Sequence, residues 1–380
     1  MIYSGFIIKK ERLERNWSQE GLCKGICTVS YLSKIEQGKT EASEDIISAL
    51  FKRLGIDWVM DKEILSEGEK FIEEWYDSVF SDDYKKIVSC NEKFEKEFSC
   101  LKNSPFAIDI FLLKKFTEDE TFPLDERLES SMDSRQLSLQ RLLGGRFSEA
   151  EKLNPCALMY LRSGYADYEK GDNFSALENL QKAYILASEE GRLKIMLFAK
   201  LFITNCYSNI GDLDSMEYHG RIAKRIALDL GETEFAETVD YNYFATKIEV
   251  GDYSGAYSYF SKLSEPSAPS LHKLAVCCEK LGKKEEAFAA LEKEKTSAAE
   301  GEKAKFFADK ACELIKFRLE HEDYLSDSYY GKLLLDFFDS CRKEMPAGYA
   351  KFHLPWVVEW LTANRQYKQA FELLSDFLEK

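Results

Sequence analysis

A short phrase recurs along this sequence: glycine, a polar residue, three variable positions, a small residue, and an apolar residue four places further on. Clear copies occupy residues 171–176, followed by Leu180 and Ala183, residues 251–256, followed by Phe260, and residues 282–287, followed by Leu291. Looser copies begin at Gly145, Gly211 and Arg365, and residues 82–87, preceded by Trp75 and Tyr76, read as the first. Counted from Ala150, the small residues Ala176, Met216, Ala256 and Ala287 follow at steps of 26, 40, 40 and 31. A unit of that length holds two helices. The glycine ends one helix, the small residue lets the next pack close, and the larger apolar residue fills the space to the following pair. Neither helix pair buries its apolar face alone, so the pairs must stack. The expected fold class is all-α, with a right-handed α-solenoid that presents a concave groove.

The first sixty residues follow another plan. Ile7, Ile8, Leu13 and Trp17 give an apolar face to an opening helix, which Asn16-Trp17-Ser18 breaks. Ser18 is a suitable N-cap for a second helix, Gln19 to Lys24, closed by Gly25, with Ile26 plugging into the core. Thr28 caps a third helix running to about Glu36 and stopped by Gln37-Gly38, with Leu32 and Ile35 facing inward. A further helix, capped at Ser43, is expected to bury Ile46, Leu50 and Leu54 before Gly55 ends it. Two short helices joined by a tight glycine-containing turn, inside a small helical bundle, meet the requirements of a helix-turn-helix. Short polar side chains on the leading half of the second helix of that motif suit base edges and phosphates.

The run from Ser18 to Lys39, SQEGLCKGICTVSYLSKIEQGK, resembles the Cro/repressor-type helix-turn-helix. Ile26-Cys27 before the recognition helix, with Ser33-Lys34-Ile35-Glu36-x-Gly38 at its end, is similar to the PlcR/Rgg kind of regulator. In that family the DNA module precedes a tetratricopeptide domain that binds a peptide pheromone. The motif covers about forty residues and is specific for the DNA-binding module. The resemblance implies that Gln19, Thr28, Val29, Ser30, Tyr31, Lys34 and Lys39 face DNA, and that Arg12 and Glu36 form a structural ion pair inside the domain. Gly21 departs from the usual acidic or amide residue, leaving the capping box at Ser18 incomplete. The irregular repeat lengths resemble the degenerate tetratricopeptide repeats of the same family. The implied organisation is a DNA-binding domain in residues 1–58, a connector in 59–71 and a repeat sensor domain in 72–380.

Charge agrees with that division. The chain has 380 residues and a formal charge of −15, yet residues 1–58 carry nine Lys/Arg and eight Asp/Glu, so the acidity lies in the remainder. A nearly neutral reader on an acidic body concentrates DNA contact in the reader. Ten cysteines stand singly apart from Cys277-Cys278, which reads as reduced core thiols. Cys23 and Cys27 have no second pair at metal-ligand spacing, and His219, His272, His321 and His353 lie far away, so no metal is expected. No leader and no apolar run long enough to span a membrane is apparent, so the expected compartment is the cytoplasm. No phosphate loop, nucleophile elbow or zinc-protease motif is present, and neither catalysis nor a cofactor is expected.

Positions nine, six and two before each turn residue share one helical face, and they select Arg162, Tyr165, Phe202, Asn205, Asn209, Asn242 and Lys273 for the groove. Asparagine offers both donor and acceptor to an extended peptide backbone, and Arg162 or Lys273 suits a terminal carboxylate. The alternative for these residues is a merely solvated helix face. Taken together, the sequence describes a homodimeric regulator that reads two operator half-sites and responds to a short signalling peptide. The alternatives are a protein partner or small molecule as the ligand, and a repeat scaffold that inhibits a protein partner.

Overall fold

A computed structural model of the chain describes residues 3–40, 42–59, 61–117, 129, 132–295, 302–345 and 347–378. Among these residues the fold is all-α, with no strand, and no helix is long and apolar enough to cross a membrane. The chain divides into two compact units. One comprises Met1–Glu169 and Phe174–Phe202, the other Lys170–Asn173 and Ile203–Lys380.

The first unit opens with α1 (Tyr3–Glu14), α2 (Gln19–Cys23), α3 (Val29–Glu36) and α4 (Glu44–Leu54). Next come α5 (Lys62–Phe80), α6 (Tyr84–Lys93), a π-helical turn at Phe94–Phe98 and a 3-10 turn at Ser99–Asn103. Helices α7 (Ala107–Lys114), α8 (Ser134–Leu143), α9 (Phe147–Leu153), α10 (Ala157–Glu169) and α11 (Asn173–Glu190) follow. Helix α12 (Leu193–Ile210) contains the division between the units. The second unit continues with α13 (Leu213–Asp229), α14 (Thr233–Glu249), α15 (Tyr253–Phe260), α16 (Ala268–Lys280) and α17 (Lys284–Lys295). It ends with α18 (Glu302–Glu320), α19 (Ser328–Glu344), α20 (Ala347–Ala363) and α21 (Tyr367–Leu378).

The repeated phrase does what its chemistry requires. Gly251 turns left-handed at φ 87°, which ends α14. The next residue, Asp252, then caps α15 by accepting a hydrogen bond from the Gly255 amide at 2.8 Å. Asp212 repeats the device at the start of α13, on the Ser215 amide at 3.0 Å. The small residues Ala150, Ala176, Met216, Ala256, Ala287 and Ala370 are all buried, as are Leu180, Phe260 and Leu291 behind them. From α13 onward each helix packs against its successor, and α14 and α16 also pack against the next but one. That is the pattern of stacked helix pairs.

Several expectations for the opening segment need correction. Trp17 follows α1 and is exposed, because Arg12 ties the backbone there through a hydrogen bond to the Trp17 carbonyl at 2.9 Å. In α4 the core residue is Ile47, with Ile46 half-buried, and Ser43 stands at the N-cap without making a side-chain bond. Ile26 is half-buried only. Residues 62–71, read in sequence as part of a connector, are the first turns of α5. That helix is capped by Asp61 and buries Phe71, Ile72, Trp75, Tyr76 and Val79.

Candidate nucleic-acid interface and ligand groove

The first four helices build a scaffold for one exposed helix edge. Leu22, Leu32, Ile35, Ile47, Leu50, Phe51 and Leu54 close the core, together with Phe6, Ile7 and Ile8 of α1. Gly5 lets α1 reach α3, since a Cβ there would stand 2.1 Å from the Ile35 carbonyl oxygen. Thr28 caps α3 by accepting from the Tyr31 amide at 3.2 Å, and Ser18 caps α2 by accepting from the Gly21 amide at 3.0 Å. Arg53, from α4, donates to the carbonyls of Leu22 and Lys24 and so covers the open end of α2.

Beneath α3 lies a buried ion pair. Arg12 Nε and Nη2 donate to the two Glu36 carboxylate oxygens at 2.6 and 2.7 Å, a bidentate geometry. Gln19 Nε2 donates to the same carboxylate at 2.8 Å. Of the residues assigned to DNA, Thr28, Val29, Ser30, Lys34 and Lys39 are exposed, Tyr31 is half-buried at the same edge, and Gln19 is half-buried with its amide turned to Glu36. The leading turn of α3 therefore presents short side chains, and a lysine stands behind them.

Residues 8–59 match the helix-turn-helix family. This segment is a helix-turn-helix domain. Within it α3 is the second helix of the motif, and domains of this kind lay that helix in the major groove. The chain is also similar to the transcriptional activator NprA of Geobacillus stearothermophilus. The two are 22% identical over 255 residues, which cover 58% of this chain and 62% of that relative, so the match spans less than two thirds of the relative's length. A comparison of structures returns Bacillus thuringiensis PlcR in complex with the peptide PapR7 and DNA. It is 17% identical, covers 84% of this chain and 99% of that one, and has a TM-score of 0.32. A score that low establishes no shared arrangement.

The groove candidates fall into separate sets. In the first unit the Tyr165 and Phe202 rings meet at a tilt of 55°, with centroids 4.8 Å apart. Arg162, expected to await a carboxylate, is already in an ion pair with Asp82. Burial, then the neighbouring Glu169, pushes the Tyr165 phenol up. In the second unit Asn242 Nδ2 donates to Asn205 Oδ1 at 3.3 Å, and Asn209 Nδ2 donates to Asn173 Oδ1 at 3.2 Å. These amides are brought together, in pairs.

Lys273 is not the exposed cation that its spacing promised. It is only 8% exposed, and its ammonium lies 3.0 Å from the centroid of the Phe352 ring. Burial pushes it down to about 7, against the opposing pull of Glu249. The residues that cover this region, Lys351, Phe352 and His353 of α20, are not among those that the spacing selects. They stand more than seventy residues beyond Lys273 and carry no periodic mark, so only a contact map could have found them.

Proposed function

We propose that the chain is a sequence-specific DNA-binding transcription regulator whose helical-repeat region binds a short signalling peptide that alters operator binding. The exposed leading edge of α3, held on its scaffold by the buried Arg12–Glu36 pair, carries this reading. Thr28, Ser30 and Lys34 supply donors and acceptors of a size that fits base edges and phosphates. The similarity to a transcriptional activator supports the regulator role. The working species is a cytoplasmic homodimer placing two such edges on two half-sites, with the peptide shifting its affinity for DNA by favouring one arrangement of the dimer.

Selecting duplexes from a random pool with the purified chain tests the DNA half of this proposal. A specific duplex should emerge, and Ser30→Ala with Tyr31→Ala should weaken it by roughly tenfold or more while leaving the helical content intact. Equal binding by wild type and double variant, or no enrichment at all, would sink it. Titrating the selected complex with peptides encoded beside the gene tests the other half. Unchanged affinity and mobility with every peptide would retain the regulator and discard the peptide.

A further inference from the structure

Three consecutive residues near the start of α20 meet three other helices of the second unit. Lys351 Nζ lies 3.0 Å from the Ser208 carbonyl oxygen and 3.4 Å from that of Asn209, in the last turn of α12. The same ammonium is 3.3 Å from the Glu249 carboxylate at the end of α14. Phe352 lays its ring under the Lys273 ammonium of α16, and the His353 and His272 rings are 5.4 Å apart. The last carbonyls of a helix lack intrahelical donors and carry partial negative charge, so a cation there is complementary. The early part of α20 thus stands on α12, α14 and α16, the helices that carry Asn205, Asn209, Asn242 and Lys273.

Pro355 separates this part of α20 from the rest. It has no N–H to offer the Lys351 carbonyl, which weakens the helix at that point. Beyond it the helix is anchored. Trp356 is buried with the Arg318 guanidinium 4.4 Å from its ring, and Trp360 fills the space over Gly331, where a Cβ would come 1.9 Å from the indole. Before Pro355 the open positions are at the start, since Tyr349 is 38% exposed and Gly348 has no neighbour within 4 Å of where a Cβ would stand, while Ala350, Phe352 and His353 are buried against the second unit.

We infer that residues 348–354 are a strap over a peptide-binding face of α12, α14 and α16, that this strap lifts about Pro355, and that it gives way to a short peptide of like chemistry. Such a peptide brings a cation to the end of α12 and an aromatic ring to Lys273, the two groups the strap now supplies. The inference rests on the reading that the second unit binds a peptide, and its two parts fail separately.

The test is amine acylation of the full chain, following Lys273 by mass spectrometry with the exposed Lys280 of the same helix as internal standard. In wild type Lys273 should lag far behind Lys280. Lys351→Ala, which removes the charged anchor, should raise the relative rate at Lys273 by about tenfold or more. Pro355→Ala, which restores the missing hydrogen bond, should slow it below wild type. A synthetic heptapeptide with the sequence of residues 348–354 should then protect Lys273 again in the Lys351→Ala chain. Equal labelling of Lys273 in all three chains overturns the strap. Exposure by Lys351→Ala without protection by the heptapeptide keeps the strap and overturns the peptide as its competitor. Should Lys351→Ala lose helical content, Pro355→Ala decides, and unchanged labelling there overturns the strap.

Discussion

At Arg365 the backbone adopts φ 58°, the left-handed conformation that Gly251 adopts at the equivalent turn. For a residue with a Cβ this costs about 1–2 kcal/mol, partly offset because glycine loses more freedom on folding. Arg365→Gly is therefore expected to stabilise the chain by about 0.5–1 kcal/mol, seen as a higher urea midpoint at unchanged slope. An unaltered or lower midpoint would contradict this reading of the turn. Asp82, at φ 54°, is the contrasting case. Its carboxylate holds Arg162, so Asp82→Gly should gain at the backbone and lose at the side chain, with a smaller net change. Every turn residue picked from the sequence phrase proves left-handed, since glycine at such a point has a single physical reason to be there. Lys273, expected to be open, proves covered for the opposite reason. Spacing along a helix names a face but not what covers that face.

At the scale of elements, the helix-turn-helix depends on one buried pair. Removing Glu36 leaves the Arg12 guanidinium inside the domain without its bidentate partner, and removing one member of such a pair typically costs about 3–5 kcal/mol. Replacing both by apolar residues of similar volume costs less, because no uncompensated charge remains. Glu36→Ala should therefore lower the melting temperature of the first unit more than the double change Arg12→Met with Glu36→Leu. The reverse order would show that the pair is worth more than its desolvation. Element ends were legible at Ser18, Thr28 and Gly55, where the capping residue is of the expected type, but not at Asp61, which caps α5 inside the segment read as a connector. The inward register of α4 was not, since Ile46 and Ile47 are neighbours on a helix and either satisfies the apolar pattern. The residues around Asp57 to Phe71 look polar in sequence, yet Val59 donates to the Asn103 carbonyl at 2.9 Å and Trp58 stacks on Phe51 at 4.6 Å. The Val59 tie joins residues far apart in sequence and leaves no local signal.

Across the whole molecule two opposed electrostatic effects meet as pH falls. The chain carries −15 at neutral pH with an isoelectric point near 5.0, so acidification relieves self-repulsion and favours the compact state. Against this stand two histidines in the second unit, His272 and His353, both buried with Nε2 unpartnered. Burial, then the neighbouring Lys273, pushes His353 down to about 3, and burial holds His272 well below its ordinary value too. A base held below its ordinary value of 6.5 takes up its proton more readily unfolded than folded. Stability is thus constant above that value and is lost as pH falls from it towards the folded value. Between pH 6.5 and 5 one such histidine removes at most about 2 kcal/mol. The relief of self-repulsion is shared by wild type and any neutral variant at one site, so their difference isolates the histidine. His353 sits among Phe337, Phe352 and Trp356 with ring centroids at 4.9, 5.1 and 4.9 Å, a setting that accepts a phenyl ring. His353→Phe should leave the unfolding midpoint near wild type at pH 7.5 and raise it above wild type progressively below pH 6.5, with His272 supplying the slope that remains. Parallel midpoint curves for the two chains would show that this histidine carries no cost of protonation.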